Sequence, residues 1–417
     1  MSPMTDEIVL RNPTDAEFPR FIAPLSIAFN EELSDAAIEN DRRTIELDRF
    51  VGALDGDAVV GCGGAYSFQL TVPGGEVGAA GITAVGVLPS HRRRGILRQM
   101  MTWLLTQARE RNEPVAILWA SEAAIYQRFG YGPGTLQSQF DAMKDKIRFA
   151  RPVESPGRIR IVDIDEAVAR FPAVYDAIRR STPGTISRTE ARWRWESLAD
   201  AEWMRHGNGA KELALLEVDG EARGYAIYRT RSEWDNLGPK GVVTVMEVSA
   251  LDAVTEQALW QWIFGIDLIG SVRCWRGPAP HPMQLMVTEP RRLGTTFADG
   301  TWLRIVDLRA ALASRTYRGP GNLVVDVSDD FCPWNAGRWQ LSVPGEGAGS
   351  AVIARAPDSA GVDLVLDVSD VAAVYLGAFR FADLLRAGRV REARPGAVAA
   401  ADALFSTDVA PSNSTMF

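Results

Sequence analysis

Histidine is scarce in this chain of 417 residues, which contains three. His91 precedes a run of arginines, His206 lies in a polar turn, and His281 stands between two prolines. Mechanisms that activate a serine or cysteine nucleophile need a histidine placed beside that nucleophile. The count therefore argues against such a mechanism, and proton transfer in an enzyme of this composition would use tyrosine, carboxylates or water.

Cysteines, signal segments and long apolar runs are also lacking. The three cysteines, Cys62, Cys274 and Cys332, are too few and too widely spaced for a disulfide framework or a zinc site. The N-terminal segment MSPMTDEIVL has neither the basic region nor the apolar core of a signal peptide, and no run approaches membrane-spanning length. We therefore expect a cytoplasmic protein with no bound metal and no membrane partner. Export by a route that needs no signal peptide stays open.

The net charge of −8 has the wrong sign for a protein that binds nucleic acid through its phosphates. A chain of this length exceeds what one hydrophobic core usually supports, so we expect two or three domains. The rest of the chain is acidic, so the HRRRG run forms a local basic patch. Such a patch is suited to binding a small anion. The acidic remainder would attract a cationic substrate.

The most informative stretch is GITAVGVLPSHRRRGILRQMM, residues 81–101. A β-branched apolar strand over residues 82–88 leads through a turn into three arginines, Gly95 and an amphipathic helix over residues 96–111. The N–H groups and the dipole at a helix start bind phosphate, and glycine lets a ligand approach the backbone closely. The forked guanidinium groups of Arg92, Arg93 and Arg94 are suited to binding a diphosphate. The alternative is a solvated arginine run at a helix start.

A second segment, WASEAAIYQRFGYGPG, overlaps the end of a short apolar strand over residues 115–119. Ser121 and Glu122 are typical of the first turn of a helix, and Gly130 is typical of its end. Taken alone, Tyr126 in this helix is explained by a ring in the core and a hydroxyl on water.

Together the two segments resemble the coenzyme A site of the GCN5-related N-acetyltransferases. The pattern in that superfamily is Arg or Gln, two residues, Gly, one residue, then Gly or Ala. Arg92, Gly95 and Leu97 fill these positions, so Leu97 departs from the general rule. The resemblance implies a strand that separates from its neighbour to hold the pantetheine arm, and it implies that Tyr126 lies near the thioester sulfur.

The segments HRRRGILR and ASEAAIYQRFGYGP resemble, more narrowly, the Eis (enhanced intracellular survival) family of actinobacterial acetyltransferases. The likeness covers the whole chain, with AIYR at Ala226, WLRI at Trp302, YLGAFR at Tyr375 and a final Phe417. The resemblance implies acetyl-CoA as co-substrate and acetylation of the amines of aminoglycosides and of lysine side chains. It also implies assembly as a hexamer.

The order of predicted elements and this resemblance give an α+β fold of three domains. We expect a catalytic GNAT domain with a mixed sheet over residues 1–150 and a degenerate GNAT-like domain over residues 151–307. A sterol-carrier-protein-like α/β domain would follow over residues 308–417, its tail feeding the active site. No arginine-glycine loop follows the apolar strand at residues 242–250, so the middle domain would have lost its coenzyme pocket and kept a structural role.

Carried over residue by residue, the resemblance assigns acetyl-CoA to three stretches of the first domain. They are Val85, Gly86 and Val87; Arg92, Arg93, Arg94, Gly95, Ile96, Leu97 and Arg98; and Ser121 with Glu122. It implies that Tyr126 is the general acid and that the carboxylate of Phe417 is the general base. Met416 departs from relatives that carry an acid there, which leaves amine recognition open.

Phe29, Glu31 and Glu32 are our candidate rim for a cationic acceptor. The carboxylates would hold a polycation and the ring would contact its apolar faces; the alternative is an exposed helix terminus. Two other functions stay open, a carrier of apolar ligands with vestigial acetyl transfer and a regulatory acyl-CoA sensor. The intact arginines, Gly95 and Tyr126 argue against both.

Overall fold

The computed structural model describes residues 8–205, 207–344 and 351–417. His206, in the polar turn, lies outside these residues. The strands are β1 (Val9–Arg11), β2 (Phe50–Asp55), β3 (Ala58–Val72), β4 (Gly75–Val87), β5 (Val115–Trp119), β6 (Tyr131–Pro133), β7 (Leu136–Met143), β8 (Arg158–Ile161), β9 (Lys211–Val218), β10 (Glu221–Arg231), β11 (Trp234–Asp235), β12 (Gly238–Pro239), β13 (Gly241–Ala250), β14 (Ile269–Pro278), β15 (Thr296–Asp299), β16 (Thr301–Ile305), β17 (Gly321–Ser328), β18 (Gly337–Val343), β19 (Val352–Arg355), β20 (Leu364–Asp367) and β21 (Arg391–Glu392).

The α-helices are α1 (Phe18–Ile22), α2 (Pro24–Phe29), α3 (Asp35–Arg42), α4 (Ile96–Glu110), α5 (Ala123–Gln127), α6 (Ile164–Arg179), α7 (Glu190–Arg192), α8 (Ala253–Gly265), α9 (Met283–Met286), α10 (Leu308–Ala313), α11 (Val368–Tyr375), α12 (Phe381–Arg386) and α13 (Ala397–Phe405). Short 3-10 turns span Asp15–Glu17, Leu47–Arg49, Pro89–His91, Lys144–Lys146, Glu202–Met204 and Pro290–Leu293, and a π-helical turn spans Trp193–Ser197. Among the described residues, no helix combines the length and apolarity that crossing a bilayer requires.

Three large sheets form most of the described structure and confirm the expected α+β fold. A seven-stranded sheet has the order β1-β2-β3-β4-β5-β16-β6, and a second has the order β15-β7-β14-β13-β10-β9-β8. The third sheet has five strands in the order β19-β18-β17-β20-β21 and packs against the helices α10 to α13. The small hairpin of β11 and β12 projects from the second sheet.

The first two sheets exchange strands across the domain boundaries expected at residues 150 and 307. β7 pairs with β14 and β15 in the second sheet, whereas β16 pairs with β5 and β6 in the first. Two residues, Gly134 and Thr135, separate β6 from β7, so the chain passes directly from one sheet into the other. An apolar strand pattern is the same in either sheet, which is why the local sequence does not reveal this exchange.

An opening between two parallel strands occurs in each of these sheets. β4 pairs with β5 only from Ala79–Val115 to Gly81–Ile117, and the two strands then separate. A bulge opposite β3, with Ala84 at φ 54°, bends β4 further. In the second sheet the parallel pairing of β13 with β14 likewise ends at Val245–Cys274.

Candidate active site

The helix α4 begins beside the opening in the first sheet. Its N-cap is Gly95 at φ 81°, a left-handed conformation that favours glycine. No side chain caps this end, so the N–H groups of the first turn are left for solvent or a ligand. A Cβ at Gly95 would meet no atom within 4 Å, which means that the space above the helix start is open.

A cleft of about 810 Å³, here called the arginine cleft, lies over this helix start. The structure brings together in its lining Val85, Gly86, Val87, Arg92, Arg93, Gly95, Ile96, Leu97, Arg98, Ser121 and Glu122, all of which the family resemblance assigns to acetyl-CoA. It does not bring Arg94 there. Nη1 of Arg94 lies 2.8 Å from Oδ2 of Asp55, the last residue of β2, and this ion pair holds the side chain outside the cleft.

Among the described residues, the remaining arginines of the cleft have no anionic partner. Within the described part of the chain, neither Arg92 nor Arg93 has a side-chain hydrogen bond or an ion pair to another residue. The guanidinium of Arg98 stacks 5.0 Å from the ring centroid of Phe331 in the third domain. Guanidinium forks without a carboxylate, next to an uncapped helix start, fit a diphosphate.

Tyr126 lies on α5, seven residues after the end of β5. The N-cap of this short helix is Glu122 and not Ser121, and its side chain makes no cap hydrogen bond. The Tyr126 ring is buried against Tyr131 in an edge-to-face contact of 5.9 Å. Burial, and secondarily the charge of Glu122, raises the pKa of Tyr126, so its hydroxyl stays protonated at neutral pH.

Two further cavities continue from the arginine cleft. Tyr126 and Phe29 also line a junction cavity of about 690 Å³, which includes Phe417. Phe417 and Phe29 then line an inner cavity of about 550 Å³ between the first and second sheets. Tyr126 therefore faces the junction cavity from the arginine cleft, and Phe417 faces it from the inner cavity.

The candidate acceptor rim is only partly brought to these cavities. Phe29 ends α2 and lines all three, and Glu31 lines the inner cavity. Glu32 is exposed and is not among the described residues that line the inner cavity. The chain turns sharply at Asn30, with φ 55°, immediately before the two glutamates.

Most charged residues of the inner cavity were not predicted from the sequence. They are Asp41, Arg188, Glu196, Lys211, Glu247 and Arg276. Burial, with the nearby charge of Glu196, raises the pKa of Asp41 to about 6. Burial lowers the pKa of Lys211 to about 8, and its ammonium donates to the carbonyls of Ser197 and Ala199 at 2.7 Å. Glu247 was the residue with a visible signal, since it interrupts the apolar strand VVTVMEVSA.

The residues after α13 return between the first and second domains. Pro411, Asn413 and Thr415 are buried there, while Met416 is half exposed. The Phe417 ring packs edge-to-face on Phe68 of β3, with 5.0 Å between centroids. The tail is thus part of the inner cavity's wall.

Cysteine and histidine chemistry has little support at this site. Burial raises the pKa of Cys62 and Cys274, which disfavours their thiolates. His281 is buried next to Cys274, and burial lowers its pKa to about 4. His91 lines the arginine cleft, with Nε2 3.3 Å from the Asp55 carboxylate.

Three family models match the chain. One acetyltransferase (GNAT) domain matches residues 9–134, another acetyltransferase (GNAT) domain matches residues 184–305, and a sterol carrier protein domain matches residues 308–414. These matches agree with the three sheets, although β16, within the second match, belongs to the first sheet.

Similar proteins match over nearly the full length. An uncharacterized N-acetyltransferase of Streptomyces avermitilis is 42% identical over 371 residues, 88% of this chain and 88% of its own. N-acetyltransferase Eis of Mycobacterium tuberculosis is 32% identical over 96% of this chain and 98% of its own. The crystal structure of Eis1 from Mycobacterium abscessus, 32% identical, has a TM-score of 0.83 and covers 98% of this chain and 100% of its own. A GCN5-related N-acetyltransferase from Anabaena variabilis, 21% identical, shares the fold with a TM-score of 0.84 over 99% of this chain and 100% of its own.

Proposed function

This chain belongs to the Eis family of N-acetyltransferases, within the GCN5-related superfamily, and we propose that it moves the acetyl group of acetyl-CoA onto amines of aminoglycoside-type polycations and of lysine side chains. The observation that carries the proposal is the junction cavity. It shares lining residues with the arginine cleft, where Arg92 and Arg93 have no anionic partner among the described residues, and with the inner cavity, which has several carboxylates. Tyr126 and Phe417 both line it.

On the donor side, we assign the diphosphate to the N–H groups of α4 and to the side chains of Arg92, Arg93 and Arg98. The separated edge of β4 at Val85 to Val87 would pair with the pantetheine arm as an added strand does. Ser121 and Glu122 would border the arm on its other side. Arg94 would act indirectly, by holding the loop against Asp55.

The reaction forms a bond from the amine nitrogen to the acetyl carbon and breaks the bond from that carbon to sulfur. The amine proton would pass to the Phe417 carboxylate, and the Tyr126 hydroxyl would donate its proton to the sulfur. An α-carboxylate, with a reference pKa of about 3.5, is a weak base, so it needs an acceptor amine that is already poorly solvated.

Proton donation by Tyr126 is uphill by about 2 kcal/mol when ordinary tyrosine and thiol pKa values are compared. Burial raises the pKa of Tyr126, which by itself widens this gap. A thiolate leaving in the same apolar surroundings is also a stronger base than in water, and this effect offsets the first. Placing both reactants at the junction would then provide much of the rate.

On the acceptor side, Phe29 and Glu31 would contact the polycation, and Asp41 and Glu196 would extend the negative surface inward. Glu32 has no contact role in this proposal because it lies outside the cavity lining. Assembly as a hexamer belongs to the same proposal, and light scattering that gives six times the chain mass of 45.6 kDa would support it.

The test measures thiol release from acetyl-CoA by the full-length protein with kanamycin, with spermidine and with a lysine peptide. Acetyl transfer to any of them, shown by mass spectrometry of the product, supports the proposal. Calorimetry with acetyl-CoA runs in parallel. Tight binding without thiol release for any amine would overturn the enzymatic proposal and favour the sensor, while binding of fatty acid alone would favour the carrier.

A further inference from the structure

The opening between β13 and β14 in the second domain corresponds in position to the donor-strand opening of the first. A cavity of about 370 Å³ lies there, lined by residues 246–250 of β13 and residues 276–278 of β14. Val409, Ala410 and residues 412–414 of the chain's own tail complete its wall. The degenerate domain therefore receives a segment of this chain at the position where the first domain offers a binding site.

Thr415 is the residue at which this tail is held most closely. Its hydroxyl accepts hydrogen bonds from Arg188, with distances of 2.7 Å to Nη2 and 3.0 Å to Nε, and lies 3.2 Å from the Tyr175 hydroxyl. The Arg188 side chain is 2% exposed, and Nη2 also bonds the Glu247 carboxylate of β13 at 2.9 Å. Its guanidinium stacks on the Tyr175 and Trp193 rings.

The backbone of Thr415 is held from the first domain as well. Its carbonyl accepts a hydrogen bond of 2.9 Å from Nε1 of Trp119, the last residue of β5, two positions before Ser121. Its N–H donates to Oδ1 of Asn413 at 3.1 Å, and Nδ2 of Asn413 donates to the Thr301 hydroxyl of β16. Thr415 is thus tied to both domains two residues before Phe417.

We propose that Arg188 is a positioning residue for acetyl transfer, which holds Thr415 so that the Phe417 carboxylate stays at the junction cavity. In this arrangement the second domain holds the Phe417 carboxylate, which is the proposed base, and the first domain binds acetyl-CoA, which is the acetyl donor. This inference rests on the proposed function. Two residues of extended chain reach about 7 Å, so a tail released at Thr415 would let the carboxylate move by several ångströms, and a misplacement of 1 Å can cost about 100-fold in rate.

Thr415→Val removes the hydroxyl and keeps the shape of the side chain, and Thr415→Ser keeps the hydroxyl. We expect T415V to lower kcat at least tenfold with KM for acetyl-CoA within twofold of the wild type, and T415S to recover most of the loss. Arg188→Lys keeps the charge opposite Glu247 but loses the double contact, so it should resemble T415V. Thr407→Val, in the same tail but outside the cavity, is the matched control and should match the wild type. Equal kcat for T415V and the wild type would overturn the inference.

A second measurement does not depend on catalysis. Carboxypeptidase Y is added to the native full-length protein, and removal of Phe417 is followed by mass spectrometry. The inference expects T415V and R188K to lose Phe417 at least fivefold faster than the wild type and T407V, with T415S close to the wild type. Faster trimming of the variants in a protein without transferase activity would show that Arg188 and Thr415 hold the tail, but it would overturn the proposed function and with it the role in acetyl transfer. Equal trimming of the variants and the wild type in an active enzyme would overturn the positioning role and leave the proposed function standing.

Discussion

Arg94 and Asp55 form an ion pair in which Nη1 of the arginine lies 2.8 Å from Oδ2 of the aspartate. This pair divides three consecutive arginines into two that line the arginine cleft and one that braces the loop from outside. Because Arg93 adopts φ 65°, neighbouring side chains of the run leave the backbone in different directions. The three charges are therefore not equivalent.

Replacing Arg92 and Arg94 separately tests that difference. Arg92→Ala should raise KM for acetyl-CoA about tenfold or more, since a hydrogen bond to a charged group contributes about 1.5 to 3 kcal/mol, with little change in kcat. Arg94→Ala makes the same change in charge two positions away and should leave KM within about twofold, because an exposed ion pair contributes at most about 1 kcal/mol. Initial rates at varied acetyl-CoA provide the comparison. Equal effects of the two variants would contradict the division.

Much of the fold could be predicted from local signals in the sequence. The predicted strand at residues 115–119 coincides with β5, and the helix predicted over residues 96–111 is α4 within one residue. Both depend on apolar periodicity and on Gly95, which act over a few residues. The missing arginine-glycine loop after β13 is equally local, and the chain there enters α8 directly after Asp252.

Features that depend on contacts between residues far apart in the chain could not be predicted from the sequence. Asp55 meets Arg94 from 39 positions away, and Arg188 meets Thr415 from 227 positions away. Neither pair has a spacing that a helix or strand period could reveal. The inner cavity is built in the same way from segments that lie far apart in the chain, so its charged residues could be recognised only once the sheets were assembled.

The Tyr126→Phe variant tests the catalytic role of the Tyr126 hydroxyl without changing the packing of the ring. The ring stays buried against Tyr131, and only the proton donor is lost. We expect kcat to fall about 100-fold, in the range of general acid catalysis, with KM for acetyl-CoA nearly unchanged. Tyr131→Phe is the control, because the Tyr131 hydroxyl is buried without a hydrogen-bond partner among the described residues; its removal should leave kcat intact. A kcat for Y126F within twofold of the wild type would remove Tyr126 from the proton transfer.

The acceptor cavity should bind cations more tightly as pH rises through about 6. Burial raises the pKa of Asp41 to about 6, so its carboxyl is mostly neutral at pH 5 and mostly ionised at pH 7.5. A bis-quaternary ammonium inhibitor keeps its charge throughout, and its inhibition constant should fall about fivefold over that interval, as expected for a partly exposed ion pair of roughly 1 kcal/mol. Asp41→Asn should flatten the profile, whereas Asp57→Asn, in an exposed turn, should not. A profile for D41N as steep as that of the wild type would assign the titration to another group.

A buried ion pair joins the first sheet to the third domain. Arg304 of β16 is fully buried, and its Nη2 donates to both carboxylate oxygens of Asp329 at 2.8 and 2.6 Å. Asp329→Asn would leave a buried cation without its counter-charge, at a cost of about 3 to 5 kcal/mol. The double variant Arg304→Met/Asp329→Leu removes both charges and should lose less free energy of unfolding, because neither desolvated ion remains.

Urea unfolding compares the variants. It is followed by the fluorescence of Trp334, whose indole donates to the carbonyl of Val306 beside β16. Since other tryptophans also fluoresce, the Trp334→Phe variant provides the background signal. A double variant less stable than D329N would show that the pair itself, rather than its unpaired remnant, holds the domains together.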